Sequence, residues 1–312
     1  MKKIFILMAF VATTMCFAQN TMYYTTQNQT YSENLYQQAK EGFAQAQNNL
    51  GSCYDRADGV EKDYQEAFKW FRLSAEQGDM LAEFNLGQYY YLGLGTKQDY
   101  TQATYWYEKS AIQDFPFAKW KLADCYYHGQ GVEKNPAKAV LWYQQAAKQQ
   151  ITPAQFSLAE CYYHGRGVQL DYVEAVRWYR AAAEQGMDVA QWRLGDCYYN
   201  GIGVEKNEEG AIFWWQKSAD QGFVVAQYRL GKELYEKKDS SASKYLKLAI
   251  ENPMIDINAK SDAMRKLSTC YRYGRGGATK NTEQANYWTK EAAKYGNSDA
   301  QKILDWMKSY GG

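Results

Sequence analysis

The chain has 312 residues, with 36 Lys and Arg against 35 Asp and Glu, for a formal net charge of +1. That balance excludes the clustered basic excess of a nucleic-acid binder. A hydrophobic share of 46%, an aromatic share of 16% and only 4 prolines exclude a disordered chain and leave a helical one open.

In chain order, the first element is a secretory signal. Lys2 and Lys3 precede an apolar run from Ile4 to Ala12, and the segment closes on Cys16-Phe17-Ala18. A positive start, a short apolar stretch and a small residue before the cut are its three parts. The run is shorter than the roughly 20 apolar residues of a membrane span. Residues 1–18 therefore read as a signal peptide and 19–30 as a flexible N-terminal segment, with Gln19 at the mature N-terminus. Loss of Lys2 and Lys3 leaves 34 basic against 35 acidic residues, a net charge of −1. The expected location is exported, periplasmic or secreted, with no membrane span after cleavage.

From there the chain repeats. Leu50, Leu86, Leu122, Leu158, Leu194 and Leu230 lie 36 residues apart, and Leu267 follows 37 later. Trp70, Trp106, Trp142, Trp178 and Trp214 keep the same period, and Trp288 returns near the end. Between most Leu–Trp pairs stands a glycine turn: Gly93-Leu94-Gly95, Gly129-Gln130-Gly131, Gly165-Arg166-Gly167, Gly201-Ile202-Gly203 and Gly274-Arg275-Gly276. Each repeat predicts two helices. Ala118, Leu122 and Cys125 share one face of a first helix, and the turn glycine supplies its left-handed stop. Asp63, Asp99, Asn135, Asp171 and Asn207 then stand where the second helix needs an N-cap. Asp63 with Glu66, and Asp171 with Glu174, have capping-box spacing. Pro136 follows its cap at the helical position that tolerates proline. The second helix carries the Trp and an Ala-rich end such as Ala181 to Ala183, before Gly186.

These residues resemble the Sel-one-like repeat family, a relative of the tetratricopeptide repeats, over about four-fifths of the chain. Ala190, Leu194, Gly195, Tyr198, Gly201, Gly203, Val204, Ala211, Trp214, Ala219 and Gly222 show the pattern within one repeat. The resemblance implies an all-α, right-handed α-solenoid of about seven helix-turn-helix repeats over residues 43–296. It also implies a role in holding other proteins rather than in chemistry. Residues 31–42 match only the second half of a repeat and read as an N-terminal cap; residues 297–312 read as a capping helix and tail, which arrays need. Six residues of glycine turn are missing after Leu230, and the next connection is longer, restoring register at Leu267.

Five cysteines follow the signal, Cys53, Cys125, Cys161, Cys197 and Cys270, each three after its anchor Leu. Some relatives staple each helix pair through a second cysteine. That cysteine is absent here, and neighbouring copies would stand a helix diameter of about 10 Å apart, beyond the roughly 7 Å that a disulfide spans. Buried thiols are expected. His128 and His164 have no ligand spacing around them, so neither a metal nor a cofactor is expected. Ser241-Ala242-Ser243-Lys244 has the Ser-x-x-Lys spacing of serine β-lactamases, without a Lys-Thr-Gly or Ser-Asp-Asn partner, and no catalytic residue is assigned.

The candidate site is a second stripe on the first helices, two before, two after and five after the anchor Leu. It comprises Phe84, Trp120, Asp124, Tyr127, Phe156, Glu160, Tyr163, Trp192, Asp196, Tyr199 and Tyr228. Positions four and then three apart share a helical face, and in tetratricopeptide-like arrays that face lines the concave groove. Aromatic anchors beside acids Asp124, Glu160 and Asp196 predict an exported, non-enzymatic scaffold that binds a protein or peptide, perhaps best a basic one. The alternatives are packing between repeats, and a cell-wall glycan or β-lactam-binding protein.

Overall fold

A computed structural model describes residues 30–310; the expected signal peptide and most of the segment after it lie outside these. Among the described residues there are sixteen helices and no strand. The chain forms two compact bodies, one through Trp178 and one from Tyr179. The first begins with α1 (Glu33–Lys40) and continues with α2 (Ala44–Arg56), α3 (Tyr64–Glu76), α4 (Met80–Leu92), α5 (Tyr100–Ile112), α6 (Pro116–His128), α7 (Pro136–Lys148) and α8 (Thr152–His164). α9 (Tyr172–Glu184) is followed in the second body by α10 (Asp188–Asn200), α11 (Glu208–Asp220), α12 (Val224–Glu236), α13 (Ala242–Glu251), α14 (Ile257–Tyr273), α15 (Thr282–Lys294) and α16 (Ser298–Tyr310). Repeats one to seven pair α2 with α3 through α14 with α15, and α16 is a first helix without a second.

The boundaries follow from local chemistry. Asp63 accepts from the amides of Gln65 and Glu66, Asp99 from Thr101 and Gln102, and Asn135 from Lys138. Asp171 caps Val173 and Glu174 in the same way, and Asn207 caps Gly210. The capping boxes do not close. The amides of Asp63 and Asp171 donate to Tyr54 and Tyr162 carbonyls of the preceding helix, while Glu66 and Glu174 turn to Lys69 and Arg177. The cap residue thereby fixes the second helix against the first.

Within a repeat the deepest second-helix residue is the one after the tryptophan. Phe71, Tyr107 and Tyr143 in the first body and Trp215 in the second are buried, while Trp142 and Trp214 are half-exposed. Each ring needs a small residue opposite, just after the anchor Leu. A Cβ on Gly87 would stand 2.7 Å from the Tyr107 ring, and one on Gly195 2.5 Å from Trp215. Between repeats, the last glycine of the turn meets backbone: a Cβ on Gly131 would lie 2.0 Å from the Tyr100 carbonyl oxygen.

Polar clasps join the helix ends. Gln47 Nε2 donates to the Ala39 carbonyl at 3.0 Å, and Gln191 and Gln227 do the same to Ala183 and Ala219. Repeat three departs at two linked places. Lys119 replaces the glutamine, and Asp114, at φ +75°, stands where Gly42 and Gly78 take the left-handed turn. The two substituted side chains form an ion pair. In α16, Asp305 occupies the small-residue position after Leu304 and is held by Gln301 Nε2 at 2.9 Å. A charged side chain at the seat of the next ring ends the array.

Candidate functional site

The stripe singled out in the sequence divides on burial. Phe84, Trp120 and Phe156 are core residues rather than groove anchors. Phe84 packs against Phe115 and Tyr107, with centroids at 5.1 and 5.9 Å, and Trp120 lies among Ala139, Tyr143 and Leu158. For these three, filling the space between repeats is the observed role. The cause is their place two before the anchor, where the side chain leans toward the neighbouring helix pair. Trp192 and Tyr228 at the same position remain half-exposed. Trp192 stacks near Phe223 at 5.6 Å, and Tyr228 donates to Asp262 Oδ2 at 2.8 Å.

The acids have internal partners that were not anticipated. Asp124 Oδ1 accepts from the buried Tyr143 hydroxyl at 2.5 Å, and Asp196 Oδ1 accepts from the Trp215 indole at 3.1 Å. Gln88 plays this part for Tyr107. Where the second helix offers no donor, the first offers no matching acceptor: Ser52 with Phe71, and Lys232 with Leu246. Burial pushes the Asp124 carboxyl up, opposed by the Lys121 ammonium, the Tyr143 bond and His128. Asp196 is likewise raised by burial and held back by Arg229 and Arg193; Arg229 Nε lies 3.5 Å from it. The acidic row is thus largely an internal hydrogen-bonding device, which removes the main reason for expecting a basic partner. Glu160 stands at the same position and lies 3.4 Å from His164 Nε2.

The tyrosines five after the anchor tie one repeat to the next turn. Tyr91 donates to Gln130 Oε1 at 3.2 Å. Arg166 Nη1 donates to the Tyr127 hydroxyl at 2.9 Å, and Arg275 Nη2 to that of Tyr235 at 2.6 Å. The central residue of each of these glycine turns is therefore chosen to reach back. Tyr127, Tyr163 and Tyr199 keep part of their rings exposed; Tyr163 meets Tyr172 at 5.2 Å, and Tyr199 meets Trp215 at the same distance. The first-helix face that remains accessible is made of tyrosine rings flanked by mixed charge.

Other groups noted in the sequence take structural places. All five cysteines are buried, and none forms a disulfide. Burial pushes Cys53 and Cys125 up to about 11 and Cys161 to about 12. Ser241 precedes α13, its amide bonded to Asp239, and Lys244 Nζ faces Asp220 at 3.9 Å. No helix among the described residues is long and apolar enough to cross a membrane.

Fold and face together define an all-α protein of tandem helix pairs that presents side chains repeatedly along its first helices. The Sel1 repeat model matches residues 44–79, 81–115, 116–150, 152–187, 188–223, 224–237 and 261–297. The chain belongs to the Sel1 repeat family, whose members are generally non-catalytic scaffolds for protein–protein interaction. It is similar to a solved protective antigen of uropathogenic Escherichia coli strains that displays an SLR fold. The two are 32% identical over 91% of this chain and 68% of that one, with a TM-score of 0.59. A Sel1 repeat protein from Oxalobacter formigenes is 30% identical over 88% of this chain and 78% of its own, with a TM-score of 0.64. Among functionally curated proteins no relative matches.

Proposed function

We propose that this protein is an exported scaffold that holds a protein or peptide along its first helices. The observation that carries the reading is the recurrence of half-exposed Tyr127, Tyr163 and Tyr199 at one repeat position, beside Arg166, His164 and Arg229, on helices whose opposite face is buried. Tyrosine supplies large contact area with few rotatable bonds and a polar tip, which suits recognition. Export rests on the N-terminal residues alone.

The test is affinity capture from envelope extract, comparing the chain with a Tyr163→Ser/Tyr199→Ser variant whose helicity by circular dichroism is unchanged. A protein held by the first and lost by the second supports the reading; identical captured sets defeat it. Trp120 is unsuitable as a probe because its removal would perforate the core. Cell fractionation with N-terminal sequencing tests export, with Gln19 expected first.

A further inference from the structure

The first-helix face changes character within the second body. Repeat five presents Trp192, Asp196 and Tyr199; repeat six presents Tyr228, Lys232 and Tyr235; repeat seven presents Arg265, Thr269 and Arg272. The switch at Lys232 follows from the shortened second helix of repeat six. There Leu246 faces Gly231, so no phenol or indole calls for an acid two after the anchor. Residues 179–312 as a whole carry more Lys and Arg than Asp and Glu.

Cations gather around Tyr235. Lys266 Nζ lies 4.5 Å and Arg275 Cζ 4.8 Å from its ring centroid, and the Arg275 bond to its hydroxyl fixes the ring. Arg275 Nε is buried with no hydrogen-bond partner among the described residues. Arg272 Nη2 meets only the Thr289 hydroxyl, at 3.3 Å. The neighbouring carboxylates are already engaged: Glu236 with Lys266 at 2.8 Å, Asp262 with Arg265 and Tyr228, and Glu233 with Tyr199. Among the described residues, Lys232, Arg272 and Arg275 form no ion pair. An unfilled donor and three cations without carboxylates favour an incoming acceptor that carries negative charge.

We propose that the face formed by Lys232, Arg272 and Arg275 around Tyr235 receives an acidic segment of a peptide partner, its Asp or Glu side chains taking the place of the missing carboxylates. Arginine suits that role because its planar fork matches a carboxylate edge. This rests on the first helices being the partner face.

Fluorescence anisotropy of the full chain with a labelled peptide alternating Glu and Gly, beside one alternating Gln and Gly, tests it. Saturable binding of the Glu peptide alone is expected, weakening with added salt. Lys232→Glu/Arg272→Glu should weaken it at least about tenfold, whereas Lys109→Glu/Lys217→Glu, the same charge change on exposed second-helix positions, should weaken it less than about threefold. Lys232→Gln/Arg272→Gln repeats the comparison should the first pair disturb folding. No binding of the Glu peptide, equal loss in both pairs, or loss in neither overturns the inference. Inorganic polyphosphate binding that ignores the site pair, with no peptide binding, overturns it as well. None of these outcomes alters the capture result for Tyr163→Ser/Tyr199→Ser, so the two readings fail separately.

Discussion

Tyr143→Phe isolates the bond that explains the acidic row. The ring is buried and would keep its packing, and only the hydroxyl donating to Asp124 at 2.5 Å is removed. A hydrogen bond to a charged group contributes about 1.5–3 kcal/mol, and its loss strands a desolvated carboxylate, so a destabilisation of about 2 kcal/mol is expected. The chain supplies the compensating change, because repeat one pairs Phe71 with Ser52 at the same two positions. Tyr143→Phe/Asp124→Ser should therefore recover about 1 kcal/mol or more relative to the single variant, a coupling within the usual range for contacting residues. Urea unfolding at constant m measures this. Because repeat arrays lose cooperativity, hydrogen exchange of the α6 and α7 amides should accompany it. A loss below about 0.5 kcal/mol for Tyr143→Phe, or a double variant equal to the sum of the singles, would refute the assignment of Asp124 to internal bonding.

Three further outcomes are expected. Gly131→Ala and Gly129→Ala both place Cβ on left-handed residues, φ +70° and +75°, at about 1–2 kcal/mol each; only Gly131 also meets backbone at 2.0 Å, so its loss in urea unfolding should be clearly the larger. Gln150 adopts φ +62° where Gly186 and Gly222 adopt +92° and +90°, and Gln150→Gly should stabilise the chain by up to about 1 kcal/mol, with a lowered midpoint refuting it. Because burial raises the Asp124 pKa, its ionisation opposes folding at neutral pH and protonation relieves that opposition. The stability of the wild type relative to Asp124→Asn should accordingly rise as pH falls from neutral through the raised pKa, and level off below the ordinary carboxylate range; a difference that shrinks on acidification contradicts the assigned direction.

Much of the architecture was legible because repetition multiplies each local signal. The 36-residue recurrence of Leu50 through Leu230, the turn glycines and the caps at Asp63 or Asn207 each have one physical meaning, and seven copies remove ambiguity. The site was less legible. A helical face can be assigned from spacing, but whether Trp120 on that face meets solvent depends on how closely the neighbouring repeat packs, and spacing within one helix carries no such information. The pairing of Asp124 with Tyr143 was present in the sequence as a correlation: Gln88 with Tyr107, Asp196 with Trp215, but Ser52 with Phe71. It was missed because the deepest second-helix residue was read as the tryptophan, one place earlier.

That correlation also alters how a binding face is found in such an array. A repeated side chain is weak evidence for a ligand when the repeat itself supplies its partner, as Tyr143 does for Asp124 and Trp215 for Asp196. A departure from the repeat carries more weight, because the internal reason for the residue has gone. Lys119 and Asp114 depart together and compensate each other, and so point to no ligand. Lys232 departs where Leu246 offers nothing to bond, and Arg272 departs where earlier repeats place tyrosine. Both remain without a carboxylate among the described residues. By this reasoning the tyrosine row provides the common contact surface, and the charge that selects a partner lies where the repeat pattern breaks.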